Sequence, residues 1–316
     1  MPVGLYGGAI VVEETTVLRS WAILVSFILS CTLGEAAQAD PNDRARELEF
    51  RRDREAWMRS ERSPLALAGL FWLKAGTNSF GTDPSNDLIL PPGSAPGRIG
   101  RLILSGGKVE LVVDNHAAHL RLGNQWIQHG VLKTDVGEVL PDTVYVGDLR
   151  LKVIQRGSQF ALRLIHVKNP PLLAFSHLDF FEIDPAYKVI GTFLPYRPPR
   201  RIKIASVTGQ VEEMDCPGTV HFNLGGRDLI LEPILESVDA KELFFIFKDS
   251  TNGIETYAGG RFLYSPLPQG DRVVLDFNQA HNPYCAYSPY STCPLPPLSN
   301  WLKIPVRAGE KKYPRQ

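Results

Sequence analysis

The chain has 316 residues, enough for two domains of ordinary size or for one large β domain. Its 44% hydrophobic and 22% charged residues are ordinary for a globular protein and exclude wholesale disorder. Lys and Arg together number 34, as do Asp and Glu, so the formal net charge is zero. The basic footprint of a nucleic-acid-binding protein is missing, and we expect no nucleic-acid partner.

The N-terminus has the pattern of an export signal. Arg19 precedes an apolar run from Trp21 to Leu33, which is too short to span a bilayer. Ala37-Gln38-Ala39 follows as an A-x-A cleavage site. The pattern predicts a signal peptide over residues 1–39, no membrane span, and a mature chain that begins at Asp40 and is periplasmic or secreted.

A competing interpretation of the same segment concerns Cys31. Ile28-Leu29-Ser30-Cys31 is similar to a bacterial lipobox, and processing there would leave Cys31 as a lipid-bearing N-terminus that anchors the protein to a membrane. We favour the A-x-A site, because the residues after Cys31 continue smoothly into a small-residue cleavage region.

Residues 40–64 are predicted to form one charged surface helix. Asp40-Pro41-Asn42-Asp43 supplies cap residues and an early proline, which is typical of a helix start. The stretch Arg44–Arg62 is rich in Arg and Glu with few apolar residues, so we expect a solvated face and a narrow packing stripe. Ser63-Pro64 should end the helix.

From Leu65 the chain consists of short apolar runs divided by turns, without a sustained helical period, which predicts an all-β protein. Two β-rich runs around Gly106-Gly107 indicate a hairpin. Asn169-Pro170-Pro171 is the expected boundary between two β-rich lobes. These are an N-terminal β-sandwich over 65–168 and a C-terminal antiparallel sandwich or barrel over 169–316.

The gaps between the C-terminal runs are too short for helical crossovers, so these strands should pair in antiparallel fashion. The predicted strands there are Arg201–Val207, Thr219–Leu224, Leu229–Glu232, Leu243–Phe247, Thr256–Tyr264 and Arg272–Asp276.

Three cysteines remain after cleavage at Ala39. Cys285 and Cys293 lie close together in a proline-rich stretch and are the natural disulfide pair in an oxidising compartment, whereas Cys216 stays reduced. So short a closed loop would stabilise the fold by roughly 2–3 kcal/mol. A metal site needs further ligands, and His281 is the only nearby histidine. We therefore predict a disulfide, no metal and no cofactor.

The densest polar stretch of the chain, residues 249–300, holds the candidate ligand site. Alternation on the predicted strand Thr256–Tyr264 puts Tyr257 and Arg261 on one face, and Asp276 and Asn278 would likewise share a face. If the two strands are neighbours, an Arg–carboxylate pair beside asparagines forms a polar pocket. The candidate ligand-binding residues are Tyr257, Arg261, Asp276, Asn278 and Asn282. The alternative is a buried structural ion pair with Asx caps, and such networks are common.

Two function classes fit these features. The first is an exported, non-catalytic β protein that binds a small ligand or an envelope protein. The second is an envelope hydrolase that uses carboxylates within 249–300, for instance Asp249 and Glu255, with Glu232 and Glu236 as a further possible pair. None of the common nucleophile-elbow, zinc-protease, dinucleotide or phosphate-loop motifs occurs, so whether the protein is an enzyme stays open.

The segment Gly81–Pro91 resembles the start of a forkhead-associated (FHA) domain, a β-sandwich that typically reads phosphothreonine. The resemblance extends over residues 76–154 and implies a sandwich fold. Thr82 stands where the family usually has its phosphate-binding arginine, and Ala95-Pro96-Gly97-Arg98 replaces the usual Ser-Arg-x-His. Without that guanidinium fork the resemblance argues against phosphopeptide binding.

A second resemblance covers nearly the whole mature chain. Five motifs look like those of an uncharacterised bacterial and archaeal family known only as a domain of unknown function. This resemblance implies membership but supplies no activity, cofactor or catalytic residue. The motifs are Gly69-Leu70-Phe71-Trp72-Leu73-Lys74, Pro84-Ser85-Asn86-Asp87, Ile183-Asp184-Pro185-Ala186-Tyr187, Gly260-Arg261-Phe262-Leu263 and Thr292-Cys293-Pro294-Leu295-Pro296-Pro297.

Overall fold

A computed structural model describes residues 41–136 and 140–314 of the chain, all of which belong to one compact unit. The predicted signal peptide and Cys31 lie outside these residues.

The expectation of an all-β protein is confirmed, and the two α-helices of the described residues are α1 (Pro41–Met58) and the single turn α2 (Pro170–Leu173). The strands are β1 (Leu67–Trp72), β2 (Gly76–Gly81), β3 (Leu88–Ile89), β4 (Gly100–Ser105), β5 (Lys108–Val113), β6 (Arg121–Leu122), β7 (Gln125–Trp126), β8 (His129–Leu132), β9 (Val144–Val146), β10 (Leu149–Arg156), β11 (Gln159–His166), β12 (Lys188–Ala205), β13 (Val211–Leu224), β14 (Arg227–Leu231), β15 (Glu242–Phe247), β16 (Arg261–Pro266) and β17 (Arg272–Asp276).

The N-terminal lobe is a sandwich of two sheets. One has the order β1-β11-β10-β9-β6-β7 and the other β3-β2-β4-β5-β8. Apolar residues from both sheets, such as Leu102 and Leu151, pack into one core. The predicted hairpin is confirmed, since β4 and β5 pair up to Ser105 opposite Lys108. Gly106 and Gly107 have φ of 57° and 72°, which a two-residue turn of this kind requires and glycine tolerates best.

Strands β10 and β11 place charged residues on the outer face of the six-stranded sheet. Leu151 and Leu162 point into the sandwich core. Because neighbouring residues on a strand face opposite ways, Lys152 and Arg163 lie on the outer face, directly opposite each other in the register. This outer face therefore carries cations beside apolar residues such as Ile154 and Ile165.

The strands of the C-terminal lobe pair in antiparallel fashion. Its larger sheet has the order β14-β13-β12-β17, and β15 pairs with β16 as a separate two-stranded sheet. Aromatic residues such as Phe245, Phe247 and Phe277 fill its core. The lobe boundary expected at Asn169–Pro171 stays a prediction.

The predicted strand Thr256–Tyr264 is wrong at its N-terminal end, because β16 begins only at Arg261. Residues 251–260 form turns instead. The side-chain hydroxyl groups of Thr251 and Thr256 hydrogen bond to each other at 2.8 Å, and Asn252 Nδ2 donates to the Tyr257 carbonyl at 2.6 Å. Short polar side chains that bond to nearby groups compete with strand pairing. Tyr257 and Arg261 therefore do not alternate along one strand.

The shared strand face expected for Asp276 and Asn278 is wrong as well. Strand β17 ends at Asp276, and its carboxylate accepts the backbone N–H of Asn278 at 3.1 Å, which caps a 3-10 turn over Phe277–Gln279. An aspartate that binds the backbone two residues on favours a turn over an extended strand.

Helix α1 begins where its cap residues predict but ends at Met58, earlier than Arg62. The Ser60 hydroxyl donates to the Trp57 carbonyl at 2.7 Å, and Ser63 starts a separate 3-10 turn. Met58 is fully buried, so the helix packs on the C-terminal lobe more closely than a solvated surface helix would. Within the described residues, no helix is long and apolar enough to cross a membrane.

Candidate functional site

Arg261 lies in the core of the C-terminal lobe, with none of its surface exposed. Its Nη2 donates to Asp249 Oδ2 at 2.7 Å and to the Val306 carbonyl at 2.7 Å, and its Nη1 donates to the Ala308 carbonyl. The predicted pairing of Arg261 with Asp276 is wrong, because Asp249 is the carboxylate that packs against it. Burial lowers the pKa of Arg261 and Asp249 opposes that shift. Arg261 and Asp249 form a buried structural ion pair, which is the alternative to a ligand site that the sequence left open.

The other candidate residues also bond to protein groups. Asn278 Nδ2 donates to Asp276 Oδ1 and to the Asp184 carbonyl, both at 3.0 Å. Asn282 Nδ2 donates to the Lys311 carbonyl at 2.8 Å. Tyr257 packs against apolar clusters of the lobe. The structure joins Asp276 to Asn278 without bringing Arg261 to them, and a ligand-binding role for these five residues stays a prediction.

A cavity of about 550 Å³ lies between the outer face of the six-stranded sheet, helix α1 and the C-terminal lobe. Pockets of this size hold small organic ligands in other proteins. The lining combines arginines, aromatic rings and small polar residues. Its residues are Arg54, Trp57, Arg156, Arg163, Glu236, Phe244, Phe262, Tyr264, His281, Tyr284, Ser291, Thr292, Cys293 and Pro294.

Two arginines of the sheet converge on one hydroxyl group in this cavity. Arg156 Nε and Arg163 Nη2 each donate to Thr292 Oγ1 at 3.1 Å. Arg156 also donates to Asp135 Oδ2 at 2.9 Å, which balances its charge. No carboxylate of the described residues lies within 4.0 Å of the Arg163 guanidinium, and its buried Nε has no hydrogen-bond partner among them. Burial and the neighbouring Arg156 lower the pKa of Arg163, although a guanidinium stays charged at neutral pH.

The third arginine of the cavity is already neutralised. Arg54 Nε donates to Glu310 Oε1 at 2.7 Å, and the Glu310 carboxylate is fully buried. Arg54 also stacks on the Trp57 ring, with its guanidinium carbon 4.7 Å from the ring centre. Arg163 is therefore the cation of this cavity that is left for an anionic ligand.

Stacked rings line part of the same cavity. The Tyr264 ring lies between Phe244 and His281, at centroid distances of 4.6 and 5.9 Å and nearly parallel to both. Burial and Arg54 lower the pKa of His281 to about 4, so the imidazole is neutral at pH 7. The Tyr264 hydroxyl donates to Glu236 Oε2 at 3.2 Å, and burial raises the pKa of Glu236. These rings contribute apolar surface to the cavity lining.

Cys293 lines the same cavity, beside Cys285. The Cys285 backbone N–H donates to Cys293 Sγ at 3.2 Å, and contact with Cys285 together with burial raises the pKa of Cys293. The two sulfurs are not bonded in the structure, so the disulfide stays a prediction. No group of three metal-ligating side chains occurs in the described part of the chain.

Sequence reasoning missed the arginines of this cavity. Arg156 and Arg163 are charged residues at outward positions of β10 and β11, where Arg150 and Lys152 also lie, and such a pattern by itself looks like an ordinary solvated face. Thr292 belongs to one of the five motifs, and this was the available sign in the sequence that the cavity residues matter. The motif does not indicate what the threonine contacts.

Comparisons with known proteins agree with the motif resemblance. The family described as a protein of unknown function (DUF1684) matches residues 173–311. An uncharacterized protein of Haloarcula marismortui, solved by solution NMR, is 36% identical over 43% of this chain and 77% of that chain, with a TM-score of 0.38. The FHA domain of FhaA, crystallised with the intracellular domain of another protein, is weakly similar. It has 15% identity and a TM-score of 0.22, over 30% of this chain and 96% of that one. No curated protein matches. The chain thus belongs to the DUF1684 family of proteins of unknown function.

Proposed function

We propose that the mature protein is an exported, non-catalytic β protein that binds a small anionic ligand in the cavity between Arg163 and Tyr264. The observation that carries the proposal is the Arg163 guanidinium, which is partly buried, faces a cavity and has no acidic partner among the described residues. A cation that is removed from water without a counter-charge costs free energy. An anion in the cavity would relieve that cost.

The lining indicates the chemistry of the ligand. Arg163 and Arg156 offer guanidinium N–H groups, whose fork geometry suits a carboxylate or a phosphate. The aromatic residues of the lining, among them Phe244, Phe262 and Tyr264, suit an aromatic or apolar body. We therefore expect an organic acid or organic phosphate in preference to an inorganic ion.

The hydrolase alternative has one supporting observation. Glu236 faces the cavity with a raised pKa, as a general acid does. Carboxylate chemistry on sugars needs a second acid nearby, however, and Glu236 is the only acidic residue in the described lining. Asp249 is paired with Arg261, and Glu255 is paired with Arg307 at 2.9 Å. These contacts favour binding over hydrolysis.

Replacing Arg163 by alanine tests the binding site. Benzoate and phenyl phosphate should raise the melting temperature of the wild-type protein, whereas the neutral analogue benzamide should not. Arg163→Ala should weaken binding of both anions by about tenfold or more, since a hydrogen bond to a charged group contributes roughly 1.5–3 kcal/mol. Isothermal titration calorimetry measures the affinities.

Arg227→Ala is the matched control, because Arg227 is exposed on β14, away from the cavity lining. It should bind both anions as the wild type does. Equal affinity for benzamide and benzoate, or unchanged anion binding by Arg163→Ala, would argue against the proposal.

Export and the cysteine pair are tested together by the mass of the native protein. We propose cleavage after Ala39, a periplasmic or secreted location, and oxidation of Cys285 and Cys293 to a disulfide, because the two residues lie in contact. The non-reduced mature protein should begin at Asp40 and be lighter by two hydrogen atoms than its reduced form. An acylated Cys31 at the N-terminus would support the lipoprotein alternative, and an unchanged mass on reduction would exclude the disulfide.

A further inference from the structure

A second cavity adjoins the first. It has a volume of about 320 Å³ and shares Arg163 and Tyr284 with the first cavity. Its floor is the outer face of strands β9, β10 and β11, from which Tyr145, Arg150 and Lys152 project. Arg163 therefore stands at the junction of the two cavities.

Two like charges face each other at this junction. Lys152 on β10 is the direct register partner of Arg163 on β11, and both side chains lie on the outer face. Like charges in such a position destabilise a sheet, because their side chains are close neighbours. No carboxylate of the described residues lies within 4.0 Å of either cation. Asp135, which pairs with Arg156, offsets the charge of Arg163 only in part, so the like-charge pair has a cost to the fold.

A third cation extends the charged strip. Arg150 precedes Lys152 by two residues on the same face and stacks on Tyr145, with its guanidinium carbon 4.7 Å from the ring centre. Its contact with the Glu61 carboxylate is loose, at 3.6 Å, and most of the Glu61 side chain is exposed. Arg150 is diagonal to Arg163 across the two strands, a position in which Cβ atoms lie about 7–8 Å apart.

We propose that the ligand is an elongated organic dianion, with one anionic group at Arg163 in the larger cavity and the second at Lys152 and Arg150 in the adjoining one. This proposal rests on the proposed function and adds the charge and length of the ligand. The second anion relieves the repulsion between Lys152 and Arg163, which a ligand with one charge leaves partly in place. The ligand body crosses the junction beside Tyr284, which lines both cavities.

The test compares octanoate with suberate, two acids of equal chain length that differ by one carboxylate, and includes benzoate as the probe of the larger cavity alone. Calorimetric titration of the mature protein at low salt should give suberate about tenfold higher affinity than octanoate, as expected for one added charge-assisted contact. Lys152→Ala should lower the affinity for suberate several-fold toward that of octanoate, because Arg150 alone remains for the second carboxylate, and should leave benzoate and octanoate unchanged. Lys108→Ala, an exposed lysine on the other sheet, is the control and should change nothing.

The Lys152→Ala protein should fold, because the substitution removes a like-charge pair, and an unchanged or higher melting temperature verifies this. If benzoate binds but suberate and octanoate have equal affinity, or if Lys152→Ala leaves suberate binding intact, the dianion proposal is wrong and the proposed function stands. If neither benzoate nor the aliphatic acids bind, both proposals are wrong.

Discussion

Replacing Arg261 by methionine should lower the free energy of unfolding by about 3–5 kcal/mol, the usual cost of breaking a buried ion pair from one side. The guanidinium and the Asp249 carboxylate are both fully buried and lie 2.7 Å apart. Methionine leaves the carboxylate without its counter-charge and the carbonyls of Val306 and Ala308 without their donor. Chemical denaturation measures the loss.

The same variant separates the two interpretations of Arg261 that the sequence left open. A second substitution, Asp249→Asn in the Arg261→Met protein, should recover part of the stability because it removes the unpaired buried charge. Arg227→Ala should cost less than about 0.5 kcal/mol, as is usual for exposed positions. A stable Arg261→Met protein that no longer binds benzoate would instead support the ligand-binding role first expected for Arg261.

Replacing Arg54 by methionine should also cost about 3–5 kcal/mol at neutral pH. The Glu310 carboxylate is fully buried and accepts Arg54 Nε at 2.7 Å, the Asn282 backbone N–H at 2.9 Å and the Tyr287 hydroxyl at 2.5 Å. Burial alone would raise the pKa of Glu310, but Arg54 and its other neighbours reverse this and hold the pKa below its ordinary value. Without Arg54 the carboxylate loses its main stabilising charge.

The pH dependence of this loss has a definite sign. A carboxyl group whose pKa is lower in the folded than in the unfolded state stabilises the fold above its unfolded-state pKa. That stabilisation is lost as the pH falls through the folded-state pKa. In the Arg54→Met protein, Arg54 no longer opposes the effect of burial, so the pKa of Glu310 rises. The Glu310 carboxylate of the folded state therefore takes up a proton as the pH falls. The difference in stability from wild type should therefore be smaller at pH 5 than at pH 8, as measured by urea denaturation at both values.

Arg52→Met is the control on the same helix, because Arg52 lies on the exposed face of α1. It should change stability little, and equally at both pH values. An Arg54→Met loss that is the same at pH 5 and pH 8 would contradict the view that an unpaired Glu310 carboxylate causes it.

The sequence by itself determined the local elements of this protein. Short apolar runs divided by turns predicted strands from Leu65 onward, and the Gly106-Gly107 pair located a hairpin, because a tight turn needs positive φ at both positions. The cap residues around Pro41 located the start of α1 within a residue. Strands, hairpin turns and helix starts depend mainly on residues that are neighbours in the chain, so a single sequence is enough to predict them.

Where local signals compete, the sequence was less reliable. Thr256 and Tyr257 are β-forming residues, but they are followed by Ala258-Gly259-Gly260 and hydrogen bond with Thr251 and Asn252, and a turn forms in place of a strand. Asp276 could extend a strand or cap a turn, and it caps. Whether these residues form a turn or a strand depends on their hydrogen-bond partners, which the amino-acid composition does not specify.

Only the tertiary structure decided the site. Arg163 and Thr292 are 129 residues apart in sequence, and Arg54 and Glu310 are 256 apart, yet both pairs hydrogen bond in or beside one cavity. Alternation on β11 predicts that Arg163 faces outward, but not that the C-terminal lobe and α1 cover that face. Whether a charge is solvated, paired or left facing a cavity depends on which distant element packs over it.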